Sequence, residues 1–239
     1  MMRLIANRTN RTAVVVLTSF LAVSCGGSDP QKVKQEALSR GNEFVKTEKY
    51  GEAIIEYRRA LQADPQFGEA HRRLAEALLQ TKDIGNAVRE YIRAADLIPE
   101  DEALQIQVGN LLLAGGRFDD ARVRAEKVLE RNQKNAAARV LRGNALAGLK
   151  DLPAALADME KALADDPGKA TTLANMGLLQ QMTGDKAKAE EAFTSAIQTD
   201  PADVAVRLAY ANFLLQSQRP TEAEQQLLEA YNRERKNVL

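Results

Sequence analysis

The chain has 239 residues with 33 basic and 33 acidic side chains, so its formal charge at neutral pH is zero. The basic residues form no block, and the electrostatic footprint of nucleic-acid binding is therefore missing. One histidine and one cysteine are too few to build a zinc site or a paired nucleophile and base. We therefore expect no metal, no cofactor, no nucleic-acid partner and no catalysis.

The first 24 residues predict a secretory signal. Arg3, Arg8 and Arg11 precede an apolar run of about eleven residues from Ala13 to Val23. A membrane-spanning helix needs roughly 20 apolar residues, so this run is too short to cross a bilayer and fits the apolar core of a signal peptide. Removal of residues 1–24 leaves a charge of −3, because three arginines and no acidic residue are lost.

The segment AVSC at the end of this run resembles the lipobox of bacterial lipoproteins, in which the thiol of the first mature residue is acylated. The resemblance implies a lipid such as palmitate on Cys25, a short tether over residues 25–33, and an envelope protein that faces the periplasm. Those signals usually carry leucine where this chain has Ala22. Plain secretion with an unmodified thiol, an uncleaved anchor and a core cysteine are the alternatives. Gly26, in place of an aspartate, favours the outer over the inner membrane.

From residue 34 onward the chain repeats itself every 34 residues, without insertion or deletion. A small residue lies twelve positions before each in-phase alanine, and apolar residues at helical spacing predict two helices in each unit. We expect the small residue to face the alanines of the second helix, and larger residues such as Tyr57 to fill the space between neighbouring helix pairs. The in-phase alanines are Ala53, Ala87, Ala121, Ala155, Ala189 and Ala223.

This pattern resembles the tetratricopeptide repeat, a helix-turn-helix unit of 34 residues. The resemblance implies an all-α, right-handed α-solenoid. Gln133 replaces a proline of the family between units three and four, where we expect a bend or a looser interface. The family's tryptophan is replaced by Ala37, His71, Gln105, Arg139, Leu173 and Arg207, and His71 is expected to pack between helices. The six units span residues 34–67, 68–101, 102–135, 136–169, 170–203 and 204–237, before 238–239 at the end.

In the family, the first helix of each unit lines a concave groove. A carboxamide both donates and accepts hydrogen bonds, so a row of asparagines there would suit the backbone of an extended peptide; solvation or structural bonding is the alternative. Ala137, Val140, Leu141, Ala147, Ala174, Leu208 and Ala209 make the groove of units four to six apolar, which favours a largely neutral peptide or helix. The candidate groove residues are Asn42, Arg72, Arg73, Asn110, Asn144, Asn175 and Asn212.

The plan of a lipid signal followed by six repeats is similar to that of pilus-biogenesis and exopolysaccharide-associated repeat lipoproteins. It implies a membrane-tethered scaffold that binds protein or peptide partners in a bacterial envelope. A substrate-holding subunit of an envelope enzyme complex and a purely structural spacer are the alternatives. The last unit has no polar capping helix after it, so we expect its open face to meet a partner, to self-associate in a dimer, or to continue into a longer array of repeats.

Overall fold

A computed structural model describes residues 29–237, and these residues form helices joined by short turns, with no strand among them. The predicted signal peptide, Cys25 and residues 238–239 lie outside the described residues. Within them, no helix is both long and apolar enough to cross a membrane. The helices are α1 (Pro30–Lys46), α2 (Tyr50–Ala63), α3 (Gly68–Gln80), α4 (Ile84–Leu97), α5 (Glu102–Ala114), α6 (Phe118–Arg131), α7 (Ala136–Gly148), α8 (Leu152–Asp165), α9 (Ala170–Met182), α10 (Lys186–Thr199), α11 (Val204–Gln216) and α12 (Pro220–Asn237).

The helices form six antiparallel pairs, and each pair packs on the next. The architecture is therefore the all-α solenoid that the repeat predicts. One difference lies at the start, where α1 begins at Pro30 and makes residues 30–33 helical instead of part of a tether. The Asp29 side chain accepts a hydrogen bond from the Gln31 backbone amide (3.0 Å), which caps the helix start.

The turn inside each pair contains one residue in the left-handed region, at the same place in all six units. Only two of these residues are glycines, which adopt positive φ without steric cost. The backbone amide of the following residue donates to a carbonyl in the last turn of the first helix, as Asp83 does to Leu78 (2.9 Å). The residues are Glu48, Lys82, Gly116, Lys150, Gly184 and Gln218, with φ between 56° and 87°.

Inside the first and fifth pairs, the glycine of the first helix lies against an aromatic ring of the second. A Cβ built on Gly41 would lie 2.6 Å from Cδ1 of the Tyr57 ring. Gly177 is enclosed by Phe193 and by the Ala189 carbonyl oxygen, each 3.1 Å from the same imagined atom. The expectation that the small residue faces the alanines is confirmed at Gly177, where the Ala189 carbonyl lies against it. The ring that follows the alanine by four residues also occupies this space, which the expectation did not include.

In the third and sixth pairs, a polar side chain at the tryptophan position of the family ties the pair to the preceding unit. Gln105 donates to the Ala95 carbonyl (2.5 Å) and accepts from Arg124 in α6 (3.2 Å). Arg207 donates to the Pro201 carbonyl (2.9 Å) and to Gln226 in α12 (2.9 Å). Because these groups are buried, their hydrogen bonds meet the requirement that buried polar atoms be paired.

The junction between units three and four is not looser than the others, contrary to the expectation from Gln133. The carboxamide of Asn135 donates to Glu102 of unit three (2.8 Å), and Arg139 donates to the Gln133 carbonyl. Helix α6 packs against α7 at least as closely as the helices at any other junction. Hydrogen bonds from these side chains take over the role that the expected proline plays in fixing the turn.

Candidate interaction surface

The predicted groove asparagines lie on the first helices of their pairs. Asn110 and Asn212 are exposed, whereas Asn144 and Asn175 are partly exposed. None of the side-chain hydrogen bonds found within residues 29–237 involves these four carboxamides, and none joins one asparagine to another. Their donors and acceptors are therefore not used to hold the helices together.

Asn42 differs from the other four because its side chain has a structural partner. Its Oδ1 accepts a hydrogen bond from the Tyr57 hydroxyl at 2.8 Å. Burial raises the pKa of Tyr57 to about 12, so the phenol stays protonated and donates at neutral pH. The asparagine amide N–H groups remain available to another acceptor.

Asn42 and Arg73 line one cavity of about 570 Å³ between the first two pairs. Two of the predicted residues are thus brought together at this end of the solenoid. The volume falls within the range of pockets that hold small ligands. The remaining lining residues are Val45, Tyr50, Tyr57, Glu76, Ala77 and Gln80.

The two predicted arginines are held by carboxylates. Arg73 donates to Glu69 (2.8 Å) and to Glu76 (3.0 Å), and Arg72 lies 2.6 Å from Glu69 and 3.6 Å from Asp101. The hydrogen bond that Arg72 donates to Glu69 raises the pKa of Arg72. An anionic ligand would compete with carboxylates already in place, so this cluster favours an uncharged polar group over a carboxylate.

At the other end, α9 and α11 expose apolar side chains on helices almost without charge. Helix α9 contains no charged residue, and the only one in α11 is Arg207, which is buried. The Gln181 side chain donates to Gln216 (2.6 Å) and bridges the two helices. We call the following residues the α9–α11 surface: Leu178, Met182, Leu208 and Leu215, which are 39%, 58%, 43% and 49% exposed.

Sequence reasoning identified only part of this surface. Leu208 was predicted to line the groove, but Met182 and Leu215 were not, although they lie four residues after Leu178 and seven after Leu208 and so share their helix faces. Leu141 and Ala174, expected in the groove, are 1% and 5% exposed and belong to the core. The Leu141 side chain fills the space next to Gly109, where a Cβ would lie 3.1 Å from Cδ1.

His71 has the environment of a structural residue. Its Nδ1 lies 2.5 Å from Glu90 and its Nε2 lies 3.1 Å from the Pro65 carbonyl. Burial lowers the pKa of His71, but the hydrogen bonds that His71 donates to Glu90 and to the Pro65 carbonyl outweigh this and raise it above 6.5. Both ring nitrogens thus donate. Among residues 29–237, no group of three or more histidine, cysteine, aspartate or glutamate side chains is placed to hold a metal ion.

The stacked helix pairs and the exposed faces of the first helices define an interaction solenoid. Models of the tetratricopeptide repeat match residues 38–102, 108–170 and 182–237. The chain belongs to the tetratricopeptide repeat family, whose domains bind protein or peptide partners, and its fold is that of a protein–protein interaction scaffold. No curated protein sequence matches it.

Solved structures share the fold at low sequence identity. A tetratricopeptide repeat protein from Parabacteroides merdae is 16% identical with a TM-score of 0.72, over 84% of this chain and 80% of that one. YrrB, described as having an unusual peptide-binding site, is 21% identical with a TM-score of 0.61, over 74% and 95%. PilF from Pseudomonas aeruginosa is 16% identical with a TM-score of 0.59, over 87% and 99%.

Proposed function

We propose that the chain is a non-catalytic scaffold, anchored through a lipid on Cys25 in a bacterial envelope, that binds a largely neutral peptide or helix on the α9–α11 surface. The binding proposal rests on one observation: helices α9 and α11 expose apolar side chains and no charged side chain. Burial of apolar side chains drives most protein association, and a charged partner would gain no opposite charge here.

The asparagines beside this surface supply the polar part of the contact. Asn175 precedes Leu178 by three residues and Asn212 precedes Leu215 by three, so each carboxamide lies on the same helix face as an exposed leucine. An apolar centre flanked by unengaged carboxamides suits a peptide backbone whose own side chains are apolar. The description of YrrB as a peptide-binding repeat protein agrees with this use of the fold.

The membrane anchor rests on the sequence of the first 25 residues. A signal-like segment that ends at a single cysteine provides one attachment point and no partner for an intrachain disulfide. The likeness to PilF covers nearly the whole of that protein and is a likeness of fold. We propose in addition that the scaffold serves the assembly of pilus, secretion or exopolysaccharide machinery. Helix α1 begins five residues after Cys25, so the solenoid would lie close to the membrane.

The binding proposal is tested with the double variant Leu178→Glu, Leu208→Glu. In crosslinked pull-downs from membranes, we expect this variant to lose partners that the unaltered chain captures. The control is Ile55→Glu, Val123→Glu, since these side chains are 65% and 41% exposed on the second helices α2 and α6. Equal capture by both double variants would show that the α9–α11 surface is idle, as the spacer alternative requires. Co-purification of an enzymatic activity would favour the substrate-holding subunit.

The anchor proposal has its own test. A Cys25→Ser protein should leave the membrane fraction while its helical content, measured by circular dichroism, stays the same. Retention in carbonate-washed membranes would indicate an uncleaved anchor instead. Mass spectrometry of the N-terminal peptide from the unaltered protein should find the acylated cysteine.

A further inference from the structure

Helix α12 exposes an apolar stripe, and one of its positions, that of Leu227, is buried in every preceding pair. Leu227 is 41% exposed, Leu228 58% and Tyr231 59%. We call these three residues the α12 surface. The residues that correspond to Leu227 in the earlier pairs are covered by the first helix of the following pair and are at most 2% exposed. They are Tyr57, Tyr91, Ala125, Met159 and Phe193.

Helix α1, at the opposite end of the solenoid, could not cover this stripe of a second copy in the way that first helices cover the earlier pairs. On α1, the positions that hold buried Ala70, Leu74 and Ala77 in α3 are occupied by charged, exposed side chains. Arg40 pairs with Glu56 (2.9 Å) and Lys46 with Glu43 (2.8 Å), which fixes some of these charges on the surface. A head-to-tail stack would bury these charges against the α12 surface at a large desolvation cost. The charged positions are Glu36, Arg40 and Glu43.

The charges that flank the α12 surface favour an antiparallel copy of the same helix. Glu224 lies three and four residues before the leucines, and Arg235 lies four residues after Tyr231, so both lie on the face of the apolar stripe. Both are exposed, and neither takes part in an ion pair found within residues 29–235. Along the helix, an acidic residue comes first, the apolar residues follow, and a basic residue comes last. Two copies of α12 that run antiparallel would therefore place opposite charges against each other at both ends of the apolar contact.

We propose that α12 is a homodimerisation surface, on which two copies of the chain pair through antiparallel α12 helices. In this arrangement, Glu224 of each copy faces the Arg235 side chain of the other, and the apolar residues meet between them. The same patch serves both partners, as in the twofold dimers that dominate soluble homo-oligomers. This surface shares no residue with the α9–α11 surface and does not depend on the proposed function.

The apolar contact is tested by sedimentation velocity of the full chain over a range of concentrations. We expect a monomer–dimer equilibrium for the unaltered protein. Leu227→Glu should raise the dimer dissociation constant by at least about tenfold, because every dimer loses the apolar side chain twice. Ile55→Glu, at a 65% exposed site on α2, should leave it unchanged. All variants share residues 1–28, so association through that segment is common to them.

A charge exchange tests the antiparallel geometry. Glu224→Arg alone and Arg235→Glu alone should each weaken the homodimer, because both pairs of residues 224 and 235 across the interface then carry like charges. Mixing the two single variants should restore dimers, since both cross-pairs become opposite in sign. Reversals of the exposed Glu160 and Glu191 on α8 and α10 serve as controls for net charge.

Each alternative outcome overturns the proposal. These are a monomer at every concentration, a dimer that withstands Leu227→Glu, and single charge variants that fail to form the mixed dimer. Circular dichroism confirms that each variant is folded before it is scored. A partner protein that binds the α12 surface of a monomeric chain would also replace the proposed second copy.

Discussion

Gly41 and Tyr57 form one packed unit, in which the tyrosine ring occupies the volume of the side chain that glycine lacks. The ring carbon Cδ1 lies 2.6 Å from where a Cβ on Gly41 would stand, and Tyr57 is fully buried. The ring is also fixed at its far end by the hydrogen bond from its hydroxyl to Asn42 (2.8 Å). Neither end of the ring is free to move aside.

Gly41→Ala should therefore destabilise the protein although alanine favours helix. The cost of overpacking a filled core is about 1–3 kcal/mol, larger than the gain of about 1 kcal/mol in helix propensity. Gly51→Ala is the matched control, because no atom lies within 4 Å of its imagined Cβ, and it should stabilise α2. Urea unfolding followed by circular dichroism measures both, and equal shifts in the same direction would contradict the packing argument.

Lys150→Gly should stabilise the protein, because Lys150 adopts φ 68° in the turn between α7 and α8. The left-handed conformation costs a non-glycine residue about 1–2 kcal/mol, and the added freedom of glycine in the unfolded chain offsets about 0.5–1 kcal/mol of the relief. The net gain is thus up to about 1.5 kcal/mol in the free energy of unfolding. Lys161→Gly, inside α8, is expected to lower it. A loss of stability at both positions would show that the turn is not strained.

The His71–Glu90 pair makes stability depend on pH. The pKa of His71 is raised above 6.5, so its stabilisation is complete below 6.5 and is lost as the pH rises through the folded-state pKa. The hydrogen bond from His71 lowers the pKa of Glu90 below 4.5, so that contribution is present above 4.5 and lost as the pH falls through the lower value. The pair therefore contributes most between these two pH values.

His71→Gln is the variant that measures this dependence, since Gln105 occupies the corresponding site in the next unit. The difference in unfolding midpoint between the unaltered protein and His71→Gln should be largest near pH 5.5 and shrink toward pH 9. A difference that stays constant over this range would show that the ion pair contributes nothing that titrates.

The asparagines should separate into one structural residue and a binding set. Asn42→Ala removes the acceptor of the buried Tyr57 hydroxyl, which costs about 1–3 kcal/mol of stability. The triple variant Asn110→Ala, Asn144→Ala, Asn212→Ala should leave the unfolding midpoint nearly unchanged and reduce partner capture. Unchanged capture by a folded triple variant would contradict a role of these carboxamides in binding.

The fold was predictable because one period controls it. In-phase alanines at a fixed spacing require every pair to have the same geometry, and even the left-handed turn residue falls in phase at Lys82 and Lys150. The sequence could not show that the Gly41 site is filled by Tyr57, since spacing alone does not tell which of two facing residues enters the gap. Nor could it show that Asn135 and Arg139 would replace the missing proline.

The interaction surface was less predictable than the fold. Helical spacing places Leu141 and Leu208 on the groove side, yet the first is buried and the second 43% exposed. The difference arises from the neighbours, because Gly109 leaves room for Leu141 to enter the core. The ion pairs of Arg73 with Glu69 and Glu76 could not be predicted either. Both acids lie within about one helical turn of Arg73, but either side chain could have faced solvent.

The in-phase left-handed turn has an evolutionary consequence. Each unit has its left-handed residue at the same position of the turn, so the loss or duplication of one complete unit would join helices that already fit. The solenoid can thus become longer or shorter by whole repeats. An insertion of a few residues inside a unit would instead displace every side chain after it from its packing register. The absence of any such insertion over six units is what this constraint predicts.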